Sequence, residues 1–127
     1  MPPTRRTQAK PKAVRRSRVP SLLSRQKKLE KYIEGVISKE GPSMYIPWFL
    51  ILSWSYYVMD ISPVRDTWFD EVCHTMLREW KNITHRHKDR ISEEDLRAGT
   101  GFAVTYPEIA KGAARKILVE YGHARLA

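Results

Sequence analysis

Apolar positions along this chain recur at helical spacing, and no stretch of length alternates apolar and polar residues as a half-buried strand would. From Ser21 onward, Leu22, Leu29, Ile33 and Val36 return at near-heptad intervals with Leu23 and Ile37 beside them, which predicts a first amphipathic helix. Ser21, directly after Pro20, is its expected N-cap, and Gly35 and then Gly41-Pro42 end it near Ser38. A second helix is predicted over about 47–59, opened by Pro47, whose missing amide hydrogen would be unbonded in a first turn anyway. That segment is apolar nearly all round, so it belongs at the centre of the fold.

A Ser-Pro turn over 60–65 separates it from a third predicted helix, about 66–82, whose inward face is Phe69, Val72, Cys73, Met76, Leu77 and Trp80. A polar loop at 84–90 then precedes a short helix that opens on Ser92-Glu93-Glu94-Asp95, a capping-box pattern, and ends near Gly99. Tyr106-Pro107-Glu108 opens a last helix, about 107–121, with Ile109, Ala113, Ile117 and Leu118 as its apolar set and Gly122 beyond its end. Its small residues Gly112, Ala113 and Ala114 would let another helix approach closely. The expected fold is therefore all-α, a small bundle of about four to five helices forming a single domain over 21–127.

Charge changes the picture at the N-terminus. The net charge is +9, yet residues 1–31 hold eleven Lys or Arg against Glu30 alone, a net of +10, while residues 32–127 hold twelve against thirteen acids, a net of −1. Within residues 1–20, four prolines are interleaved with Arg5, Arg6, Lys10, Lys12, Arg15, Arg16 and Arg18. Such a composition buries too little apolar surface to offset the entropy of ordering it, so a disordered basic arm is expected there. Arg25, Lys27 and Lys28, with Lys31, carry the charge onto the outer face of the first helix. These cations suit nucleic acid or another polyanion, bound through its phosphates without sequence preference and in a salt-dependent way. A solubilising or targeting arm explains the same composition. The longest apolar run, 46–59, contains a proline and is shorter than the roughly 20 residues of a membrane span, so no membrane partner is expected.

Few residues carry chemistry. Cys73 alone cannot close an intrachain disulfide, and inside a helical pattern it reads as a buried structural thiol. His85 and His87 offer two ligands and no third at a selective spacing, so no metal site is assigned. Gly99-Thr100-Gly101 is too sparse in glycine for a phosphate loop. The informative stretch is 56–70. Tyr56 and Tyr57 close the apolar helix, and Asp66 and Asp70, four apart, share one face of the next. If the intervening turn folds back, stackable rings and hydrogen-bond-accepting carboxylates meet in one volume, a combination suited to a sugar and a flat cationic ring. Each residue also has a structural explanation: the tyrosines as core aromatics, Asp66 as a first-turn acid, and Asp70 as an ion-pair partner of Arg65, His74 or Arg78.

Tyr56-Tyr57-Val58, a short acidic turn and Asp66-x-x-Phe69-Asp70 resemble the small N-terminal helical domain of bacterial NAD-dependent DNA ligases over about residues 48–80. That domain binds the nicotinamide mononucleotide (NMN) half of NAD. The resemblance implies ligand contacts at Tyr56, Tyr57, Asp66, Phe69 and Asp70, with NMN or NAD as the ligand. Phe69 stands where the family carries a tyrosine, so that hydroxyl's hydrogen bond is lost. The segments His85-x-His87, 95–102 and Tyr106-Pro107-Glu108 are similar to small phage proteins related to that ligase. The Lys-x-Asp-Gly motif of self-adenylation is missing, since Lys111 is followed by Gly-Ala-Ala and Lys88 by Asp-Arg-Ile, so this polypeptide alone is not expected to seal nicks. No catalytic residue is assigned: in the family the small domain orients the leaving group and does no nucleophilic chemistry. The resemblance and the charge together imply a non-catalytic, ligase-related, phage-type protein that binds nucleic acid, DNA in preference to RNA, through its arm and retains an NMN/NAD pocket. The alternatives are a nucleotide-binding module serving a partner enzyme, and a virion or assembly protein that uses the helices as a scaffold. The expected location is the cytoplasm of an infected bacterium, or the virion.

Overall fold

The structure is a computed structural model that describes residues 20–99 and 104–123. Arg5, Arg6, Lys10, Lys12, Arg15, Arg16 and Arg18 of the expected arm lie outside the described residues. Five α-helices are described: α1 Leu22–Glu40, α2 Tyr45–Tyr57, α3 Asp66–Arg78, α4 Glu93–Ala98 and α5 Glu108–Glu120. Short 3-10 turns lie at Pro42–Met44, Trp80–Asn82 and Lys88–Arg90, and no strand occurs among the described residues. The chain is all-α.

Local signals explain most of the boundaries. Ser21 caps α1 by accepting from the Ser24 amide at 3.1 Å, and Gly41, at φ 103°, ends it while donating to the Ile37 carbonyl at 2.8 Å. Ser92 and Asp95 form the reciprocal capping box at the start of α4, with both bonds between 3.0 and 3.1 Å. Pro47 sits at the third helical position of α2, still within the first turn, where its missing donor is harmless. α2 stops at Tyr57, two residues earlier than its apolar run suggests. Asp60 takes a left-handed φ of 58°, and the Ile61 amide donates back to the Ser55 carbonyl at 3.0 Å, so the chain reverses there. α3 stops at Arg78, short of the expected 82, because Glu79 departs from helical geometry and Trp80–Asn82 tightens into a 3-10 turn.

α2 is the central helix. Its Ile46, Phe49 and Leu50 join Cys73, Met76, Ile83, Ile91, Leu96 and Ala110 in one cluster. Its Trp48, Ile51, Leu52 and Trp54 join Leu29, Ile33, Val64 and Ala114 in a second. A helix that feeds two cores has no polar face to offer, which is why its sequence shows no amphipathic stripe.

Two expected core faces are corrected. Leu22 and Leu23 are each half exposed, and α1 instead buries Gln26, Leu29, Glu30 and Ile33. Ile109 is 73% exposed, and α5 turns Ala110, Ala114 and Leu118 inward, because small residues at i and i+4 let it lie close against α2.

A connection between α1 and the start of α3 positions everything that follows. The buried Glu30 carboxylate accepts from the Arg65 backbone amide at 2.8 Å and from its guanidinium at 2.7 Å and 3.0 Å. Gln26 donates to the Ser62 carbonyl at 3.0 Å. The Ser-Pro turn is thus tied at both ends to α1.

Candidate functional site

Because α2 ends in a reversal and α3 begins at a clamped Arg65, the last turn of α2 and the first two turns of α3 face each other across a hollow of about 260 Å³. Tyr56, Tyr57, Asp66, Phe69 and Asp70 all line it, together with Leu52, Ser53, the Ser62–Val64 turn and Gly99. The five positions singled out by spacing and resemblance therefore share one concavity.

Their environments differ. Tyr56 and Tyr57 are 46% and 36% exposed, with ring centroids 4.8 Å apart and planes at 88°, an edge-to-face pair at the rim. They are not core aromatics. Phe69 is half-buried and stacks on the fully buried Phe49 at 5.6 Å and 22°, so its ring is both pocket wall and core. A ring held by packing needs no hydroxyl to stay in place.

Asp66 is in the first turn of α3, where the helix dipole favours a carboxylate, and Asp70 follows one turn later. Both are exposed, and among the described residues neither has an ion-pair or hydrogen-bond partner. Of the three partners expected for Asp70, Arg65 is clamped by Glu30, Arg78 donates to the Thr75 hydroxyl at 3.1 Å, and the exposed His74 forms no ion pair with it among the described residues. Beneath the site, burial and then the Asp70 charge push the Cys73 thiol up to about 12, so it stays protonated and inert at neutral pH. Burial likewise raises the Tyr106 hydroxyl to about 12.

Several contributors were not visible in the sequence. Gly99 reaches the pocket as the left-handed C-cap of α4 (φ 66°), and a Cβ there would lie 3.4 Å from the Asp70 carboxylate. Glu30, 35 residues before Arg65, carries no local signal of its clamping role. The Trp68 indole donates to Glu34 at 2.7 Å, a second link from α1 to α3.

Of the cations on the first helix, Lys27 and Lys28 are exposed. Arg25 is not: its guanidinium donates to the Pro20 carbonyl and its stem packs at Gly122, where an added Cβ would lie 3.1 Å from Cδ. Among the described residues no three His, Cys, Asp or Glu side chains converge as a metal site would require, and no helix is long and apolar enough to cross a membrane.

No protein-family model matches this chain, nor does any curated protein or solved structure.

Proposed function

We propose that the hollow between α2 and α3 binds a nucleotide with a positively charged six-membered ring, of the nicotinamide mononucleotide type. Tyr56 and Tyr57 contact the ring, and Asp66 and Asp70 accept from ribose hydroxyls and favour the positive charge. The single observation that carries this reading is the convergence on one concavity of two exposed tyrosines and two exposed carboxylates that have no partner among the described residues. Exposed acids at a rim lined by aromatics suit a cation. The resemblance of this stretch to the NMN-binding domain of NAD-dependent ligases supports the same ligand.

The size of the hollow narrows the choice. At about 260 Å³ it lies just below the roughly 300–1,000 Å³ of pockets that enclose drug-sized ligands. A ring and a ribose fit within it, whereas the second half of a dinucleotide would extend outside. The reading is one of binding without chemistry, in keeping with the missing adenylation motif.

Thermal shift and calorimetry with NMN test it. Ligand at 100 times its Kd should stabilise the fold by about 2.7 kcal/mol. Reduced NMN, whose ring is neutral, should bind more weakly than the oxidised form, and Asp66→Asn/Asp70→Asn should remove that preference. No heat and no thermal shift at millimolar NMN would reject the pocket.

A second reading rests on the net charge of +10 over residues 1–31, with Lys27 and Lys28 exposed on α1: the N-terminal segment binds nucleic acid, DNA in preference to RNA. Deleting residues 1–20 should remove most of the affinity for an oligonucleotide and most of its salt dependence, and full retention of both would reject this reading.

A further inference from the structure

The connection between α3 and α4 carries a concentration of positive charge outside the pocket and the N-terminal segment. Residues 80–91 hold Lys81, Arg86, Lys88 and Arg90 against Asp89 alone, a net of +3. Residues 32–127 as a whole carry −1, so the rest of that span carries −4 and this loop is locally basic within an otherwise acidic span.

The loop is also built to hold its shape. Ile83 and Ile91 at its two ends are 0% and 4% exposed and insert into the core beside Met76 and Leu96. Between them the Lys88 amide donates to the His85 carbonyl at 3.0 Å, the Arg90 amide to the His87 carbonyl at 3.0 Å, and the His87 amide to His85 Nδ1 at 3.1 Å. Burial, and then the neighbouring His87 and Arg86 charges, lower the His85 pKa, in keeping with a neutral ring whose Nδ1 accepts. Lys88 Nζ is anchored on the Trp80 carbonyl at 2.7 Å and lies 4.7 Å from the centre of that indole ring. Arg90 donates to the Thr105 carbonyl at 3.1 Å. The exposed Arg86 side chain has no hydrogen bond or ion pair among the described residues.

Arg86, His87 and Arg90 then face one open hollow of about 620 Å³, completed by Asp89 and Thr105. We propose that this hollow is a second, structured contact for nucleic acid, in which Arg86 and Arg90 bind backbone phosphates and His87 lies between them. Planar guanidinium forks match phosphate oxygens. Among the described residues the lining contains no apolar side chain, which suits a wet, polar phosphate contact better than a protein interface, whose centre is apolar and poor in charge. Asp89 reduces the local charge without cancelling two arginines. Fixing the loop before binding lowers the ordering cost that a flexible basic segment meets in full.

This inference shares its partner with the N-terminal-segment reading but rests on different residues, so the two fail separately. The test is fluorescence anisotropy of a labelled oligonucleotide against salt, on the full chain. Arg86→Ala/Arg90→Ala should lower the slope of log K against log salt by about 2, one unit for each phosphate no longer neutralised, and Arg86→Ala alone by about 1. Lys39→Ala/Lys116→Ala removes the same charge from exposed sites elsewhere and should leave the slope within about half a unit of the parent. Arg86→Ala removes no bond among the described residues, so it tests the loop even if the Arg90 change unfolds the chain. An unchanged slope in Arg86→Ala overturns the proposal, as does an equal fall in the lysine control. Poly-glutamate that competes as well per charge as the oligonucleotide would also overturn the assignment to phosphate. Loss of slope on deleting residues 1–20 with none in the loop variants leaves the N-terminal segment as the binding element; the opposite pattern rejects that segment and keeps the loop.

Discussion

The stack of Phe49 on Phe69 couples core and pocket, and a double-mutant cycle measures how strongly. Phe49 is fully buried, its ring 5.6 Å from that of Phe69 and inclined by 22°, and Phe69 lines the hollow on the helix that carries Asp66 and Asp70. Truncating a buried phenylalanine to alanine costs about 3–5 kcal/mol, and leucine retains most of the apolar volume, so Phe49→Leu should cost about 1–2 kcal/mol. The half-buried Phe69 should lose less, about 1 kcal/mol as Phe69→Leu. The ring pair itself contributes about 0.5–1.5 kcal/mol beyond burial, so the double variant should be less destabilised than the sum of the singles by that amount. Urea unfolding followed by tryptophan fluorescence gives each value, with an unchanged m-value licensing the comparison. Each kcal/mol should appear as a midpoint shift of about 4–8 °C for a domain of this size. Strict additivity of the two changes would show that the rings do not meet, and the wall of the pocket would then need another explanation.

Three further outcomes follow from the same geometry. Raising the pH should weaken the fold between the ordinary thiol value of 9.0 and the buried value of about 12, because the unfolded chain releases the Cys73 proton over that range while the folded chain keeps it; the stability is complete below pH 9. Tyr106, raised from 10.0 to about 12, adds to the loss, and Cys73→Ala should reduce the pH dependence of the urea midpoint between about pH 9 and 12. Ser92→Ala should cost about 1 kcal/mol, and adding Asp95→Ala should cost a comparable further amount, because each side chain accepts from the other's backbone amide. Arg65→Ala should lower the thermal midpoint by leaving the Glu30 carboxylate buried without its cation, and adding Glu30→Gln should restore part of the loss, since the amide still accepts from the residue-65 backbone without bearing charge.

Particular residues show where sequence reading succeeds and where it stops. Ser21, Ser92 with Asp95, Gly41 and Gly99 announce helix ends within a few residues of the bonds they make, so those ends were legible. The even apolarity of 47–59 announced a helix surrounded by others, and α2 does feed both clusters. Ile109 and Leu22 were misread because a periodic stripe says that a helix has an inner face but not which face its neighbours can approach. In α5 the closer fit of Ala110 and Ala114 outweighed the larger apolar side chain. For the pocket, spacing placed Asp66 and Asp70 on one face of α3 but left open whether the turn would bring Tyr56 and Tyr57 level with them.

By itself the sequence determined what depends on short range: the helices, their caps, the central place of α2, and the charge split between residues 1–31 and the remainder. Only the tertiary structure decided which acid takes Arg65. By sequence Asp70, five residues on, is the nearer partner for Arg65, and the fold gives Arg65 to the buried Glu30, 35 residues away, because a buried carboxylate needs a cation while an exposed one is satisfied by water. That allocation leaves Asp66 and Asp70 open beside two rings, and no local pattern along the chain records it.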